Sequence, residues 1–218
     1  MDGIEFEIFK HGELVNKVTI QQIRPCIVAE NMVRVLLQLD SEIKDIIPLL
    51  ATKYPPGNVN YIENKRILTL NISDRLVTLY PSGKVSMNKT VNENDAIDVI
   101  TEVMRNINQA YNESKNAETV DYSEMNKRLA NVGPLALYNC LPKTDCEKCG
   151  EATCMAFSIK LLSGDSKLNK CKPLVENGDI TCLEELLGSQ LMQTMGWQPY
   201  KIEEEYHAYR FHTNKNTF

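Results

Sequence analysis

The chain lacks the features that usually mark a membrane span, a nucleic-acid surface or a familiar catalytic site. Its 218 residues contain no Walker phosphate loop, no Gly-x-Gly-x-x-Gly run, no Gly-x-Ser-x-Gly elbow and no zincin helix. No apolar run approaches the roughly 20 residues that cross a bilayer. A net charge of −5 argues against a surface that follows nucleic-acid phosphates. We therefore expect neither a membrane span nor nucleic-acid binding, and the seven cysteines become the main chemical resource of the chain.

The first residues also lack the basic and then apolar run of a secretory signal. Asp2, Glu5 and Glu7 interrupt the segment where such a run would lie. Disulfide frameworks belong mainly to secreted proteins. The sequence therefore predicts a cytoplasmic protein with reduced cysteines, in an anaerobic setting if those cysteines hold an oxygen-sensitive metal cluster.

Four of the cysteines are closely spaced. Cys146, Cys149, Cys154 and Cys171 follow the pattern C-x2-C-x4-C-x16-C. Four thiolates from one short segment can surround a [4Fe–4S] cluster, which carries single electrons. Structural zinc sites usually present two Cys-x2-Cys knuckles, and only one such pair is present. A zinc site and a set of inert thiols remain the alternatives to the predicted [4Fe–4S] ligands.

The residues after the third cysteine predict a helix that would face the cluster. Residues 155–162 have helical character, Gly164 is a natural stop, and Thr153 or Cys154 would lie at the N-terminus. Helix N-termini favour negative charge, and a cluster with four thiolates is an anion. Five apolar side chains would cover the cluster or form a small core: Met155, Phe157, Ile159, Leu161 and Leu162.

Two further residues have expected roles in the same segment. We expect Gly150 to let the backbone pass close to a sulfur atom, because it has no Cβ. We expect Pro173, two residues after the last cysteine, to prevent the chain from continuing as a helix.

The segment from Gly133 to Leu174 resembles the iron–sulfur domain of the corrinoid iron–sulfur protein family, a methyl-carrying subunit of anaerobic acetyl-CoA decarbonylase/synthase systems. It is more loosely similar to the B subunit of Rnf-type electron-transport complexes. The shared elements are Leu-Pro-x-Thr before the first cysteine, the cysteine spacing, Thr-Cys-Met-Ala-Phe, Gly150, Gly164 and Pro173. The resemblance implies that Cys146, Cys149, Cys154 and Cys171 are [4Fe–4S] ligands and that the setting is archaeal-like anaerobic one-carbon metabolism.

The sequence departs from that family in two ways. Glu147 and Ala152 stand where the corrinoid protein would have glycine and proline. The corrinoid protein continues into a barrel and a cobalamin-binding domain, whereas 44 residues follow Leu174 here. We therefore do not expect this chain to carry its own corrinoid.

The N-terminal half predicts an α+β domain. The expected strands are Ile4–Phe9, Val15–Ile23, Val59–Ile62, Arg66–Ile72, Arg75–Tyr80 and Val85–Asn88, and the expected helices are Ile27–Leu39, 45–50 and Ala96–Tyr111. The strand, Ser-Gly-Lys turn, strand and long helix after Leu76 resemble one repeat of the TATA-binding-protein fold. That resemblance implies a curved antiparallel sheet backed by helices. A single acidic repeat does not imply DNA binding, so we expect the sheet to dock a protein, to form a homodimer or to be a scaffold.

The predicted organisation is a domain at 1–112, a polar linker at 113–132 with a helix at its end, a mostly helical iron–sulfur domain at 133–175, and a helix and tail at 176–218. The helix at 180–196 is expected to break at Gly188. Cys140 is interpreted as a packing residue, with Cys26 and Cys182 as buried thiols. The tail is rich in aromatic and histidine residues and would be a docking segment, a terminal strand or a packed terminus; it includes Tyr206, His207, Tyr209, Phe211 and His212. The two histidines lack the surroundings of a metal site.

The leading functional hypothesis is a redox module without catalytic residues that passes single electrons. Its partner would be a protein, either a ferredoxin-like donor or a corrinoid- or methyltransferase-type acceptor, and one task considered is reductive activation. The alternative is an assembly or interaction protein whose cluster is structural or sensory. An enzyme that uses a cluster as a Lewis acid would need an open iron site with three cysteine ligands, and the fourth spaced cysteine argues against it.

Overall fold

A seven-stranded antiparallel sheet forms the centre of the structure. The computed structural model describes residues 3–11, 13–27, 29–116, 122–177 and 179–197. The strands are β1 Ile4–Glu7, β2 Lys17–Pro25, β3 Val33–Leu39, β4 Val59–Ile62, β5 Ile67–Ile72, β6 Arg75–Leu79 and β7 Lys84–Thr90. Their order is β1-β2-β3-β7-β6-β5-β4, with every neighbouring pair antiparallel. The curved open sheet and its helices confirm the predicted α+β class.

Strand β3 corrects the prediction of a helix at Ile27–Leu39. In the structure Val35, Leu37 and Leu39 are buried and alternate with more exposed residues, which is the two-residue period of a strand. Asn31 has a φ of +59° in the turn before β3, and β3 pairs with β2 on one side and β7 on the other. The apolar residues fit a helical stripe nearly as well as a strand, so only the long-range pairing decides between them.

The long helix α2, Glu93–Asn116, covers one face of the sheet. Ile100, Val103, Met104 and Ile107 are fully buried on it and form the apolar face of an amphipathic helix. The helix extends beyond the predicted Ala96–Tyr111 at both ends. The short helix α1, Ile47–Ala51, agrees with the one expected at 45–50.

Most of the described part of the predicted linker is helical. Helix α2 runs to Asn116, and α3 occupies Tyr122–Asn131. Helix α3 contacts both α1 and the later helix α7, Thr181–Thr194. Helix α3 confirms the helix that was expected at the end of the polar linker, since one apolar stripe is enough for a largely polar helix to pack.

Helices α4 Pro134–Cys140, α5 Cys154–Ser163 and α6 Lys172–Asn177 precede α7 in the C-terminal part. The break expected in α7 is confirmed, since Gly188 has φ +69° and ψ +165°. The Arg128 guanidinium donates hydrogen bonds to the carbonyls of Glu184 and Glu185, at 3.2 and 3.0 Å. Those carbonyls lie four and three residues before the kink, so the side chain satisfies acceptors that a straight helix would have paired internally.

Close contacts join the four-cysteine segment to the sheet part. A Cβ at Gly57 would lie 2.8 Å from the Leu162 carbonyl oxygen. The Asn58 side-chain amide donates a 2.8 Å hydrogen bond to the Ser163 carbonyl. These contacts fix the end of α5 against the short 3-10 turn Pro56–Asn58. The four-cysteine segment therefore has a defined position on the rest of the described molecule. The predicted domain boundaries stay a prediction.

Among the described residues, no helix combines the length and the apolar character that a membrane crossing requires.

Candidate metal centre

The four spaced cysteines line one cavity. Cys146 and Cys149 lie in the loop between α4 and α5, Cys154 is the first residue of α5, and Cys171 precedes α6. The cavity is completed by Thr144, Asp145, Glu147, Glu151, Thr153, Phe157 and Pro173. Within the described ranges, no three His, Cys, Asp or Glu side chains are arranged to share a single metal ion. The structure thus brings all four predicted ligands to the lining of one cavity, but does not arrange them around the position of a single metal ion.

The cavity has a buried end and an exposed end. Cys154 and Cys171 are 8% and 6% exposed, and Phe157 closes the inner wall at 1%. Cys146 is exposed and Cys149 is intermediate. A group held by these thiols would therefore be shielded from water on the α5 side and accessible on the Cys146 side.

The loop that carries the first two cysteines has an unusual backbone. Lys143, Asp145 and Glu147 have φ values of +56°, +44° and +58°, and Gly150 has +92°. Left-handed conformations at residues other than glycine cost about 1–2 kcal/mol each. Three such residues lie within five positions of this loop. Strained backbone of this kind is concentrated at functional sites, where surrounding interactions maintain it.

Asp145 connects this loop to helix α5. Its Oδ1 atom accepts a 2.6 Å hydrogen bond from the backbone N–H of Cys154. Thr153 is the N-cap of the helix, and its hydroxyl accepts from Ala156 N at 3.1 Å. The chain's own side chains therefore use two of the N–H groups that were expected to face a bound anion. The preference of the helix N-terminus for negative charge is met in part by the Asp145 carboxylate.

The structure confirms one expected backbone role and corrects another. Gly164 ends α5 with φ +81°, and a Cβ there would lie 2.7 Å from Pro55 Cγ. A Cβ at Gly150 would meet no atom of the described chain within 4 Å, and the φ of +92° is a reason for glycine at this position. Pro173 does not stop a helix, because it is the second residue of α6, where a missing N–H carries no penalty.

The electrostatics of the thiols follow from their positions. The Thr144 hydroxyl and then the Lys148 backbone N–H donate to Cys146, and both lower the pKa of that thiol. Burial raises the pKa of the Cys171 thiol; the Leu174 backbone N–H opposes this, while the negative charges of Cys154, Cys149 and Cys146 raise the pKa further. Four thiolates within electrostatic reach of one another repel, and metal cations in the cavity would offset that repulsion. The donor set therefore fits an iron–sulfur group.

Two further cysteines are paired. Cys140, at the end of α4, and Cys182, in the first turn of α7, form a disulfide with a Cα–Cα distance of 5.4 Å. The interpretation of Cys182 as a buried thiol was therefore wrong, because Cys182 is exposed and disulfide-bonded. Cys140 packs against the hydrophobic core as expected, but neither member of this pair is a reduced cysteine. Cys26 is intermediate in exposure, not buried. A sequence separation of 42 residues gives no pairing signal, because only the packing of α4 on α7 brings the two together.

The aromatic and histidine residues of the tail, Tyr206 to His212, lie outside the described residues. The hypotheses made for them stay predictions.

Comparison with known proteins identifies the same segment. Residues 141–173 match the protein family described as "Putative Fe-S cluster". The chain is similar to gamma subunits of the acetyl-CoA decarbonylase/synthase complex. It is 41% identical over 64 residues to the subunit of Methanosarcina acetivorans, which is 28% of this chain and 14% of the relative. It is 42% identical over 64 residues to the gamma 2 subunit of Methanosarcina thermophila, which is 28% of this chain and 14% of the relative. It is 43% identical over 56 residues to the gamma subunit of Methanothermobacter thermautotrophicus, which is 26% of this chain and 12% of the relative.

These matches confirm the resemblance of the four-cysteine segment and support an iron–sulfur cofactor. The chain spans only about a seventh of the length of the first two relatives, so the similarity concerns one segment and not their whole architecture. No solved structure matches the chain. The resemblance of the sheet part to a TATA-binding-protein repeat stays a prediction.

Proposed function

We propose that Cys146, Cys149, Cys154 and Cys171 hold a [4Fe–4S] cluster and that the chain passes single electrons to a protein partner in anaerobic one-carbon metabolism. The observation that carries the proposal is the convergence of these four thiols on one cavity, within a segment that matches an iron–sulfur family. When bound, such a cluster supplies reversible one-electron chemistry.

The surrounding residues would bind, orient and shield the cluster. Phe157 and Pro173 exclude water from the buried side, where Cys154 and Cys171 lie. Thr144 donates to the sulfur of Cys146 and would stabilise that thiolate as a ligand. Electron exchange with a partner would occur on the Cys146 side, since this is the exposed end of the cavity.

The surface beside the cluster segment supports a protein partner. Leu135 on α4 and Ile159 on α5 are 63% and 52% exposed, and α4 and α5 are in contact. Contiguous exposed apolar patches mark protein-docking surfaces, and we propose Leu135 and Ile159 as contacts for the partner. The matched relatives are named as subunits of a complex. We propose as partners a ferredoxin-like donor or a corrinoid- or methyltransferase-type acceptor.

A structural or sensory cluster is the second candidate. The observation in its favour is the left-handed backbone at Lys143, Asp145 and Glu147, which a bound cluster would help to maintain. In that case loss of the cluster would release the loop and alter the surface formed by α4 and α5, without any electron transfer.

The test is anaerobic purification followed by iron, zinc and acid-labile sulfide analysis and by EPR of the dithionite-reduced protein. We expect about four irons and four sulfides per chain and an S = 1/2 signal. Cys149→Ser should lower the iron content, whereas Cys26→Ser, outside the cavity, should not. Zinc without sulfide would refute the cluster.

Mixing with reduced ferredoxin then separates the two candidate functions. Reduction of the bound cluster on the millisecond-to-second scale supports electron transfer. A cluster that stays oxidised, and whose removal changes the far-UV CD spectrum, supports the structural role.

A further inference from the structure

The Cys140–Cys182 pair lies beside the four-cysteine cavity but does not belong to it. Pro173 lines the four-cysteine cavity and also a second cavity, which is lined by both cysteines of the pair. The second cavity has a volume of about 300 Å³ and is otherwise lined by Asn139, Leu141, Pro142, Leu174 and Asp179. Ligand pockets for small molecules begin at roughly this size. A disulfide that opens into such a space is accessible to a small reactant.

The two sulfurs are not equivalent. Cys182 is exposed in the first turn of α7, whereas Cys140 is only half-exposed at the end of α4. In thiol–disulfide exchange the attacking thiolate must reach one sulfur along the S–S axis, and access decides which sulfur is attacked. The geometry makes Cys182 the attacked sulfur and Cys140 the leaving thiolate.

The charge of the cavity favours one kind of thiol. Asp179 is the only charged residue among the described lining residues, and its side chain is exposed three residues before Cys182. The Lys143 ammonium donates a 3.1 Å hydrogen bond to Asn139 Oδ1 but does not belong to the lining. A carboxylate at this position attracts a cation and repels an anion. A small thiol with an ammonium group would therefore enter more readily than one with a carboxylate.

We propose that Cys140 and Cys182 form a reversible thiol–disulfide exchange site for a low-molecular-weight cationic thiol and its disulfide. In the reductive direction a thiolate RS⁻ bonds to Cys182 Sγ, the Cys140–Cys182 bond breaks, and Cys140 leaves as a thiolate that takes a proton from water. A second RS⁻ attacks the R sulfur of the mixed disulfide, releasing RSSR and the Cys182 thiolate. Two thiols are oxidised and one protein disulfide is reduced. This chemistry is independent of the proposed cluster.

The first experiment uses the native, full-length chain under anaerobic conditions, equilibrated in buffers with different ratios of cysteamine to cystamine. Acid quenching, alkylation and peptide mass spectrometry then report Cys140 and Cys182 separately from the other cysteines. We expect one reversible two-electron transition that gives the same curve from the reduced and the oxidised side. A pair that reacts only after unfolding, or that stays reduced in every buffer, would overturn the proposal.

The second experiment compares the two sulfurs and two thiol charges. In Cys140→Ser, Cys182 should form a mixed disulfide with cystamine on the order of tenfold faster than Cys140 does in Cys182→Ser, because of its greater access. In the wild-type chain, cysteamine should reduce the pair about 2–5-fold faster than mercaptopropionate at equal thiolate concentration and low salt, as expected for one exposed charge.

The matched control is Asp179→Asn, which keeps an oxygen for the 3.3 Å hydrogen bond from Thr181 N but removes the charge. It should abolish the preference for cysteamine and leave the reaction with uncharged mercaptoethanol unchanged. Equal rates for the two charged thiols in the wild-type chain, or faster reaction at Cys140, would refute the assigned site.

Discussion

The junction between the 3-10 turn Pro56–Asn58 and helix α5 can be tested with one methyl group. In Gly57→Ala the added Cβ would lie 2.8 Å from the Leu162 carbonyl oxygen and 3.0 Å from its carbonyl carbon. Both atoms are backbone, so relief requires the helix end or the turn to move. Such movement would also lengthen the 2.8 Å bond between Asn58 Nδ2 and the Ser163 carbonyl.

The expected destabilisation follows from three contributions. Overpacking costs about 1–3 kcal/mol, and a weakened amide hydrogen bond costs about 1 kcal/mol. The lower entropy of the unfolded alanine chain returns about 0.4–1 kcal/mol. The net loss is about 1–3.6 kcal/mol, which corresponds to a fall in Tm of roughly 2–14 °C for a chain of this size.

The assay is thermal and urea unfolding followed by far-UV CD, with the protein kept in one metal state throughout. Gly133→Ala is the matched control, because a Cβ there meets nothing within 4 Å and no positive φ is involved. It should change the stability by less than about 1 kcal/mol. Wild-type stability in Gly57→Ala, or an equal loss in both variants, would refute the account of a close backbone contact at this junction.

Three further outcomes are expected. Arg128→Ala should lower the free energy of unfolding by about 1–3 kcal/mol in urea denaturation, because two carbonyls at the kink of α7 lose their donor. Asp145→Ala should speed the release of iron to a chelator, because the loop loses its bond to the start of α5. In the metal-free chain, iodoacetamide should modify Cys146 with a lower pH midpoint than Cys171, since the pKa of Cys146 is lowered by donated hydrogen bonds and that of Cys171 is raised by burial. As the pH rises, Cys146 becomes a thiolate first.

Neighbouring residues provide the controls for these outcomes. Lys127→Ala removes an exposed cation next to Arg128 and should leave stability within about 0.5 kcal/mol. Glu151→Ala changes the same cavity lining as Asp145→Ala but keeps the bond to Cys154, so its iron release should remain near wild type. Equal effects of variant and control, or a lower midpoint for Cys171 than for Cys146, would contradict the corresponding interpretation.

Local signals predicted the bounds of α5 and the positions of six of the seven strands, all but β3. Thr153 and Gly164 define the bounds of α5, and each acts through a hydrogen bond to a residue three positions away. The break at Gly188 was likewise a local property. Such features depend on short-range chemistry that the sequence displays directly.

Features that depend on distant partners were missed. The residues of β3 match a helical stripe and a strand about equally well, and pairing with β2 and β7 settles the choice. The Cys140–Cys182 bond depends on the packing of α4 on α7. The link from Asp145 to Cys154 depends on a left-handed backbone that no residue type in the loop demands. In each case the deciding interaction joins segments whose proximity is set by the fold.

The central pairing of β3 with β7 has a consequence for biosynthesis. It joins two antiparallel meanders, so the sheet can close once Thr90 has been made. Cys171 follows 81 residues later, which is about 4–16 s of translation at 5–20 residues per second. The sheet and the turn that receives α5 can thus form before the last of the four spaced cysteines is synthesised. The folded sheet of a nascent chain would then be available when the proposed cluster is inserted. Substitutions that destabilise the sheet would reduce insertion of that cluster even though all four cysteines are unchanged.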